Sequence, residues 1–122
     1  MKRIICAVIT VLALLTVGCT KETTYTFTDN TEGNSSITVT YFLYEYDGGG
    51  STVAHHQINS LETGKVYEFT ATSHAEKVKV KMKLDYGGSS ESVWVQQIYR
   101  LDEGENTDLI IDGSTIVGRN EP

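Results

Sequence analysis

Strict alternation of charged and apolar side chains in one segment constrains the fold of this chain more than any other feature. Between residues 77 and 84, every odd position is lysine and every even position is apolar. Successive side chains of a β-strand point to opposite faces of the sheet, so the pattern predicts a strand with one solvated face and one core face. The lysines, here called the lysine row, are Lys77, Lys79, Lys81 and Lys83, and the apolar residues are Val78, Val80, Met82 and Leu84.

The rest of the chain also favours strands. Its single proline is Pro122, and no long segment repeats apolar residues at the helical period. Threonine, valine, isoleucine and tyrosine instead recur in short runs between glycine-rich turns, which is typical of strands. The predicted runs are residues 23–29, 36–46, 52–58, 65–72, 76–86, 92–101, 107–112 and 115–118. Seven to eight short strands at this spacing predict an all-β, antiparallel β-sandwich.

The N-terminus has the parts of a secretory signal. Lys2 and Arg3 form a basic start, residues 4–17 are uncharged, and Gly18 precedes Cys19. A helix needs about 20 apolar residues to cross the hydrocarbon core of a membrane. The uncharged run is shorter than that, so the sequence predicts a cleaved signal peptide rather than a transmembrane helix.

Residues 15–19, LTVGC, resemble the lipobox of bacterial lipoproteins. The resemblance implies cleavage before Cys19, acylation of that cysteine with palmitate-type chains, and a place in the bacterial cell envelope at the outer membrane. It divides the chain into a signal peptide (1–18), a lipidated cysteine with its tether (19–24) and a sandwich domain (25–122). Lys21 and Glu22 in the tether leave open whether the domain faces the periplasm or the cell surface.

The cysteine count and the net charge limit how the mature protein can be cross-linked and what it can bind. Cys6 lies inside the predicted signal, so only one cysteine remains after cleavage and no intramolecular disulfide can form. Removal of Lys2 and Arg3 changes the formal net charge from −6 to −8. Nucleic-acid binding and adsorption to anionic headgroups both need basic surfaces, so this charge argues against them. The expected route to the membrane is therefore the lipid.

Residues 61–70, LETGKVYEFT, resemble the corner that precedes strand F in fibronectin type III and other immunoglobulin-like domains. The resemblance implies an immunoglobulin-like sandwich in which Tyr67 is the corner tyrosine and Trp94 is a core residue. Three or four runs follow Tyr67, which is more than the standard order contains. A transthyretin-like sandwich or a small barrel is the alternative that accommodates them.

The sequence predicts no enzyme and no cofactor. His55 and His56 are adjacent in a strand and point to opposite faces, so they do not share a metal ion, and His74 lies in a predicted turn. There is no Gly-x-Ser-x-Gly nucleophile turn.

An acidic turn is a weak calcium candidate. Its carboxylates are Asp102, Glu103, Glu105 and Asp108, and calcium prefers several oxygen ligands on a turn. The spacing is not that of an EF-hand loop, and the competing interpretation is a hairpin tip kept acidic for solubility. Apart from this candidate, no metal site is expected.

Two surface features are candidate binding sites. Phe42, Tyr44 and Tyr46 alternate with Leu43 along one strand and, on an open face, would form an aromatic strip suited to a sugar ring or a protein partner. The alternative is that both faces of this strand are covered.

The lysine row is the second candidate binding site, and it extends about 20 Å along its strand. It either binds an acidic polymer or protects an exposed sheet from pairing with other chains, with Glu68 or Glu91 as neutralising acids.

The function expected from the sequence is that of a membrane-anchored, non-catalytic binding module. Its ligand would be a glycan or a protein of the cell envelope, and nucleic acid is not expected. The alternative is a structural or assembly lipoprotein that acts through its edge strands, because strand addition is a common mode of assembly.

Overall fold

The computed structural model describes residues 21–32, 36–59 and 62–122, and the regular elements there are all strands. The nine strands are β1 (Thr24–Asp29), β2 (Thr38–Tyr46), β3 (Thr52–Ile58), β4 (Val66–Thr70), β5 (Lys77–Asp85), β6 (Ser90–Val95), β7 (Tyr99–Arg100), β8 (Asn106–Ile111) and β9 (Val117–Gly118). They form two sheets that pack face to face, so the predicted all-β sandwich is confirmed. The strand ends lie within two residues of the predicted runs, except that run 92–101 is divided into β6 and β7.

The smaller sheet has the order β4-β1-β8, and the larger sheet has the order β3-β2-β5-β6-β9. All neighbours are antiparallel except β1 and β8, which run parallel. The division of run 92–101 follows from the length of β5, which pairs with β6 from Lys81 onward and with β7 at Lys77 and Val78. Residues 96–98 leave the sheet between these two pairings.

The core lies between the inner faces of the sheets and follows the predicted alternation. Val78 and Val80 of β5 are fully buried, while the lysines between them point outward. The smaller sheet contributes Tyr25 and Phe27, and the Phe27 ring meets Tyr41 of β2 at a centroid distance of 4.9 Å. Burial of side chains of this size contributes about 1.5–3 kcal/mol each, so the core stabilises the domain without a disulfide.

The strand order differs from that of immunoglobulin constant domains. Tyr67 lies in β4, at the edge of the smaller sheet, and five strands follow it in the chain. Its ring is half-buried against the core with the Lys65 Nζ 5.0 Å from the ring centroid. Within the described residues its hydroxyl makes no hydrogen bond to the backbone of the kind that defines a tyrosine corner. Of the five later strands, β8 joins the smaller sheet and the other four join the larger one.

Candidate functional site

The outer face of the larger sheet gathers both surface features that the sequence predicted. Its register places Tyr44 of β2 between His55 of β3 and Lys79 of β5. One step along, Lys81 lies between Phe42 of β2 and Trp94 of β6. Because paired residues of neighbouring strands share a face, aromatic and lysine side chains alternate across this surface.

Four rings on this face are in contact and form what is called here the aromatic cluster: Phe42, Tyr44, His55 and Trp94. Tyr44 is at its centre, with ring centroids 5.6 Å from Trp94, 5.9 Å from His55 and 6.4 Å from Phe42. The Tyr44 and Trp94 rings reach across β5, since their strands lie on either side of it. Phe42, Tyr44 and Trp94 are half-buried rather than enclosed, so their ring surfaces remain partly available.

The prediction that Trp94 belongs to the core is wrong. Its neighbours Val93 and Val95 point inward and are buried, and the alternation of the strand therefore directs Trp94 to the outer face. There its ring lies beside Lys81, whose Nζ is 5.6 Å from the ring centroid. A cation at this distance is attracted to the electron-rich ring face.

Tyr46 differs from the other two members of the predicted strip because the C-terminal residues cover it. Its side chain is buried, with the Lys79 Nζ 4.7 Å from its ring centroid. Its hydroxyl donates a hydrogen bond of 3.2 Å to the Glu121 Oε2. Burial raises the pKa of Tyr46, and the adjacent Glu121 carboxylate adds to the rise. The open part of the strip is therefore Phe42 and Tyr44.

The lysine row lies on the outer face as predicted, but its neutralising acid is a different residue. Lys79 donates to the Glu121 Oε2 at 2.8 Å, which is the one ion pair of the row within the described residues. Glu91 instead accepts a hydrogen bond from Tyr86, and Glu68 lies in the smaller sheet opposite Thr26. Glu121 and Lys79 are 42 residues apart, and no local pattern connects them.

A buried carboxylate, Glu45, is the polar residue that the sequence reasoning missed. It is fully buried at the end of β2, and its Oε2 accepts a hydrogen bond of 2.6 Å from the Tyr25 hydroxyl. His56 Nε2 lies 2.9 Å from the same oxygen, and the Thr72 backbone N–H donates to Oε1 at 2.8 Å. Continued alternation from Tyr41 and Leu43 places Glu45 on the core face, and this was the available signal.

Burial and hydrogen bonding have opposite effects on the pKa of Glu45. Desolvation is the largest single effect and raises it, but the hydrogen bonds from Tyr25, Thr72 and His56 together hold the pKa below its ordinary value of 4.5. Burial, reinforced by Glu45, raises the pKa of Tyr25 far above its usual range. The Glu45 carboxylate thus accepts a hydrogen bond from the neutral Tyr25 phenol, and this bond helps to fix how the two sheets pack on each other.

His55 and His56 point to opposite faces, as predicted. His55 contacts Tyr44 on the outer face, whereas His56 bonds to Glu45 on the inner face. Within the described residues, no three histidine, cysteine, aspartate or glutamate side chains converge as a metal site would require.

The acidic turn that is the calcium candidate joins β7 to β8. Asp108 at its end already accepts hydrogen bonds from the Thr26 hydroxyl at 2.6 Å and the Asn106 amide at 2.9 Å. The backbone N–H of Glu105 donates to the Asp102 carbonyl, closing the turn, and Glu103 lines a nearby groove.

That groove lies where the tether enters the sandwich. It has a volume of about 690 Å³ and is lined by residues 21–23, the turn of residues 70–76, Leu101 and Glu103. His74 of this turn adopts a positive φ of 72°. The lining is largely polar, and the aromatic cluster lies outside it.

Cys19, the predicted lipidation site, lies outside the described residues. Those residues include no helix with the length and hydropathy that a membrane crossing requires. Comparison with protein-family models, curated proteins and solved structures found no match to this chain.

Proposed function

We propose that this chain is a membrane-anchored lipoprotein of the cell envelope whose sandwich is a non-catalytic binding module for a glycan. The observation that supports this function best is the aromatic cluster on the outer face of the larger sheet. Outward positions of antiparallel sheets are usually polar. Here Phe42, Tyr44 and Trp94 take three of them, and the Tyr44 ring contacts both of the others.

Half-buried rings in contact suit a sugar ligand for a physical reason. The apolar face of a pyranose ring is flat and stacks on an aromatic ring, while its hydroxyls bond to polar groups at the edge. Tyr44 and Trp94 supply adjacent ring surfaces, and His55 and the lysines supply polar groups around them. A protein ligand anchored by the same rings is the competing occupant of this surface.

A glycan array tests this function on the full chain purified in mild detergent. We expect binding to at least one glycan class, and loss of that binding in Trp94→Ala and Tyr44→Ala variants that keep the wild-type circular dichroism spectrum. Ile110→Ala is the matched control, because Ile110 is exposed on the outer face of the smaller sheet. No binding to any glycan, or equal losses in the control, would contradict the proposal.

Assembly through edge strands is the second candidate function. β8 is an edge of the smaller sheet, pairs with β1 on one side, and carries the exposed Ile110. No described strand pairs with the other side of β8, so its six residues offer backbone groups to a further strand. Sedimentation velocity over a range of concentrations distinguishes the two functions, because assembly through β8 gives oligomers that Ile110→Lys disrupts.

A further inference from the structure

We propose that the glycan bound by the outer face carries carboxylate groups, as uronic-acid polysaccharides do, and that Lys81 beside Trp94 receives a carboxylate. This inference rests on the proposed function, which it narrows to a ligand class. Three features of the outer face support it: a carboxylate already bound there, a second position of the same kind, and the distribution of charge.

The bound carboxylate is the protein's own Glu121. Its Oε2 accepts a hydrogen bond from the Lys79 Nζ at 2.8 Å and from the Tyr46 hydroxyl at 3.2 Å. The same ammonium group lies 4.7 Å from the Tyr46 ring centroid. Lysine and aromatic side chains of this face thus form a carboxylate site in which the cation is held against a ring.

The second position is Lys81, one repeat further along β5. Alternate side chains of a strand are about 6.6 Å apart, so Lys81 lies one such step from Lys79 on the same face. Its Nζ is 5.6 Å from the Trp94 ring centroid, repeating the pairing of Lys79 with Tyr46. Within the described part of the chain no carboxylate lies within ion-pair distance of Lys81, and the Glu121 carboxylate, which is ion-paired to Lys79, acts on it at longer range.

Charge directs an anionic ligand to this face. The mature chain is strongly acidic, and the outer face of the smaller sheet carries Glu68 and Asp108. The larger sheet instead presents four lysines on one strand, with a single described ion pair among them. An acidic polymer is therefore repelled by the acidic parts of the surface and attracted to the row, where the half-buried Lys77, Lys79 and Lys81 are less screened than fully exposed lysines.

The position of the lysine row relative to the tether also suits ligand binding at Lys81. β5 begins beside Glu76, which lines the groove that the tether residues 21–23 share. The Glu121 carboxylate binds Lys79, in the half of the row that is nearer the tether. Lys81 and Lys83 lie toward the opposite end, on the side away from the proposed anchor.

Isothermal titration calorimetry with the full chain in detergent tests the inference. The probes are polygalacturonate, alginate and hyaluronate, each beside its methyl-esterified form, which has the same backbone without charge. We expect at least one polymer to bind and to bind at least about tenfold more weakly once esterified, a change that corresponds to the loss of one good charge-assisted contact.

Variants assign the effect to Lys81. Lys81→Gln is expected to weaken binding of the acidic polymer about fivefold or more, and Lys81→Arg to restore it, because the charge is what the carboxylate needs. Lys65→Gln is the matched control, since Lys65 also lies against a ring, that of Tyr67 on the smaller sheet. An equal loss in Lys65→Gln would overturn the assignment.

The outcomes also separate this inference from the proposed function. Equal binding of acidic and esterified polymers, or binding of neutral array glycans alone, overturns the carboxylate inference and leaves the glycan-binding function standing. A blank array together with no binding of the acidic polymers overturns both. Lys81-dependent binding to phosphatidylglycerol vesicles without binding to the polymers would show that the anion is a lipid headgroup, and would also overturn the inference.

Discussion

At the scale of single residues, Glu45 is the most consequential polar group in the fold. Three donors from three different parts of the chain meet its carboxylate: the Tyr25 hydroxyl, the His56 ring and the Thr72 backbone. Tyr25 belongs to the smaller sheet and Glu45 to the larger one, so the hydrogen bond joins the two layers. The Tyr25–Glu45 hydrogen bond forms in only one relative placement of the two sheets, so it helps to select that placement.

Removal of the Glu45 side chain is expected to destabilise the protein strongly. Glu45→Ala leaves the buried Tyr25 hydroxyl without its acceptor and removes the acceptor of the Thr72 N–H, and we expect the free energy of unfolding to fall by about 3 kcal/mol. Urea denaturation monitored by circular dichroism measures this. Glu62→Ala, at an exposed position, is the control and should unfold at the wild-type urea concentration; similar midpoints for the two variants would contradict the role of Glu45.

Glu45 also makes the unfolding free energy of the protein depend on pH. Its pKa is lower in the folded state than the ordinary value of 4.5, so ionisation favours folding above about pH 4.5, and this contribution is lost as pH falls through the folded pKa. We therefore expect the difference in unfolding free energy between wild type and Glu45→Gln to shrink as the pH is lowered below 4.5. Urea titrations at a series of pH values test this, and a constant difference would show that Glu45 has no such role.

At the scale of elements, the turns decide where each strand ends. The β5–β6 turn contains Gly87 and Gly88, and the Tyr86 N–H closes it on the Ser89 carbonyl at 2.8 Å. Gly87 has a φ of +97°, whereas no positive φ is found at Gly88. A Cβ added at either glycine meets no atom within 4 Å. The two positions therefore differ in backbone conformation and not in available space.

This pair gives a test of backbone strain. Gly87→Ala is expected to lower the free energy of unfolding by about 1 kcal/mol, because an L side chain is unfavourable at positive φ. Gly88→Ala is the matched control and should be neutral or stabilising by up to about 1 kcal/mol, since alanine restricts the unfolded chain. Thermal unfolding of both variants measures the difference, and equal midpoints would mean that the conformation of the turn does not depend on Gly87.

At the scale of the whole molecule, the proposed function combines an anchor with a recognition surface. The tether enters at one end of the sandwich, beside the turn of residues 70–76. The aromatic cluster, Lys81 and Lys83 lie on the outer face of the larger sheet, and the entry point of the tether leaves this face open. We expect a domain held in this way to present its ligand surface beside or away from the membrane, and its net negative charge to oppose flat adsorption to anionic lipid.

Lipidation is the prediction that belongs to this scale. Mass spectrometry of the N-terminal peptide from the membrane fraction is expected to show cleavage before Cys19 and acyl chains on that cysteine. Cys19→Ala should appear in the soluble fraction, because stable anchoring needs two or more acyl chains. An unmodified Cys19 in the membrane-associated protein would contradict the lipoprotein assignment.

The sequence by itself determined the elements of the fold. Alternation along β5 and β2 assigns side chains to faces, and glycine-rich turns mark the strand ends, because both effects are local and depend on residues a few positions apart. The outward position of Lys81 and the inward position of Val80 were therefore predictable. Glu45 was predictable by the same alternation, although its side chain is charged.

Only the tertiary structure decided which strands are neighbours, and with that the composition of the site. The sequence does not show that β1 lies parallel to β8, that Trp94 crosses β5 to meet Tyr44, or that Glu121 reaches Lys79. Each of these depends on pairing between segments far apart in the chain, where the free energy of many contacts together selects one arrangement. The aromatic cluster is thus a property of the assembled sheet, while its individual residues are properties of the sequence.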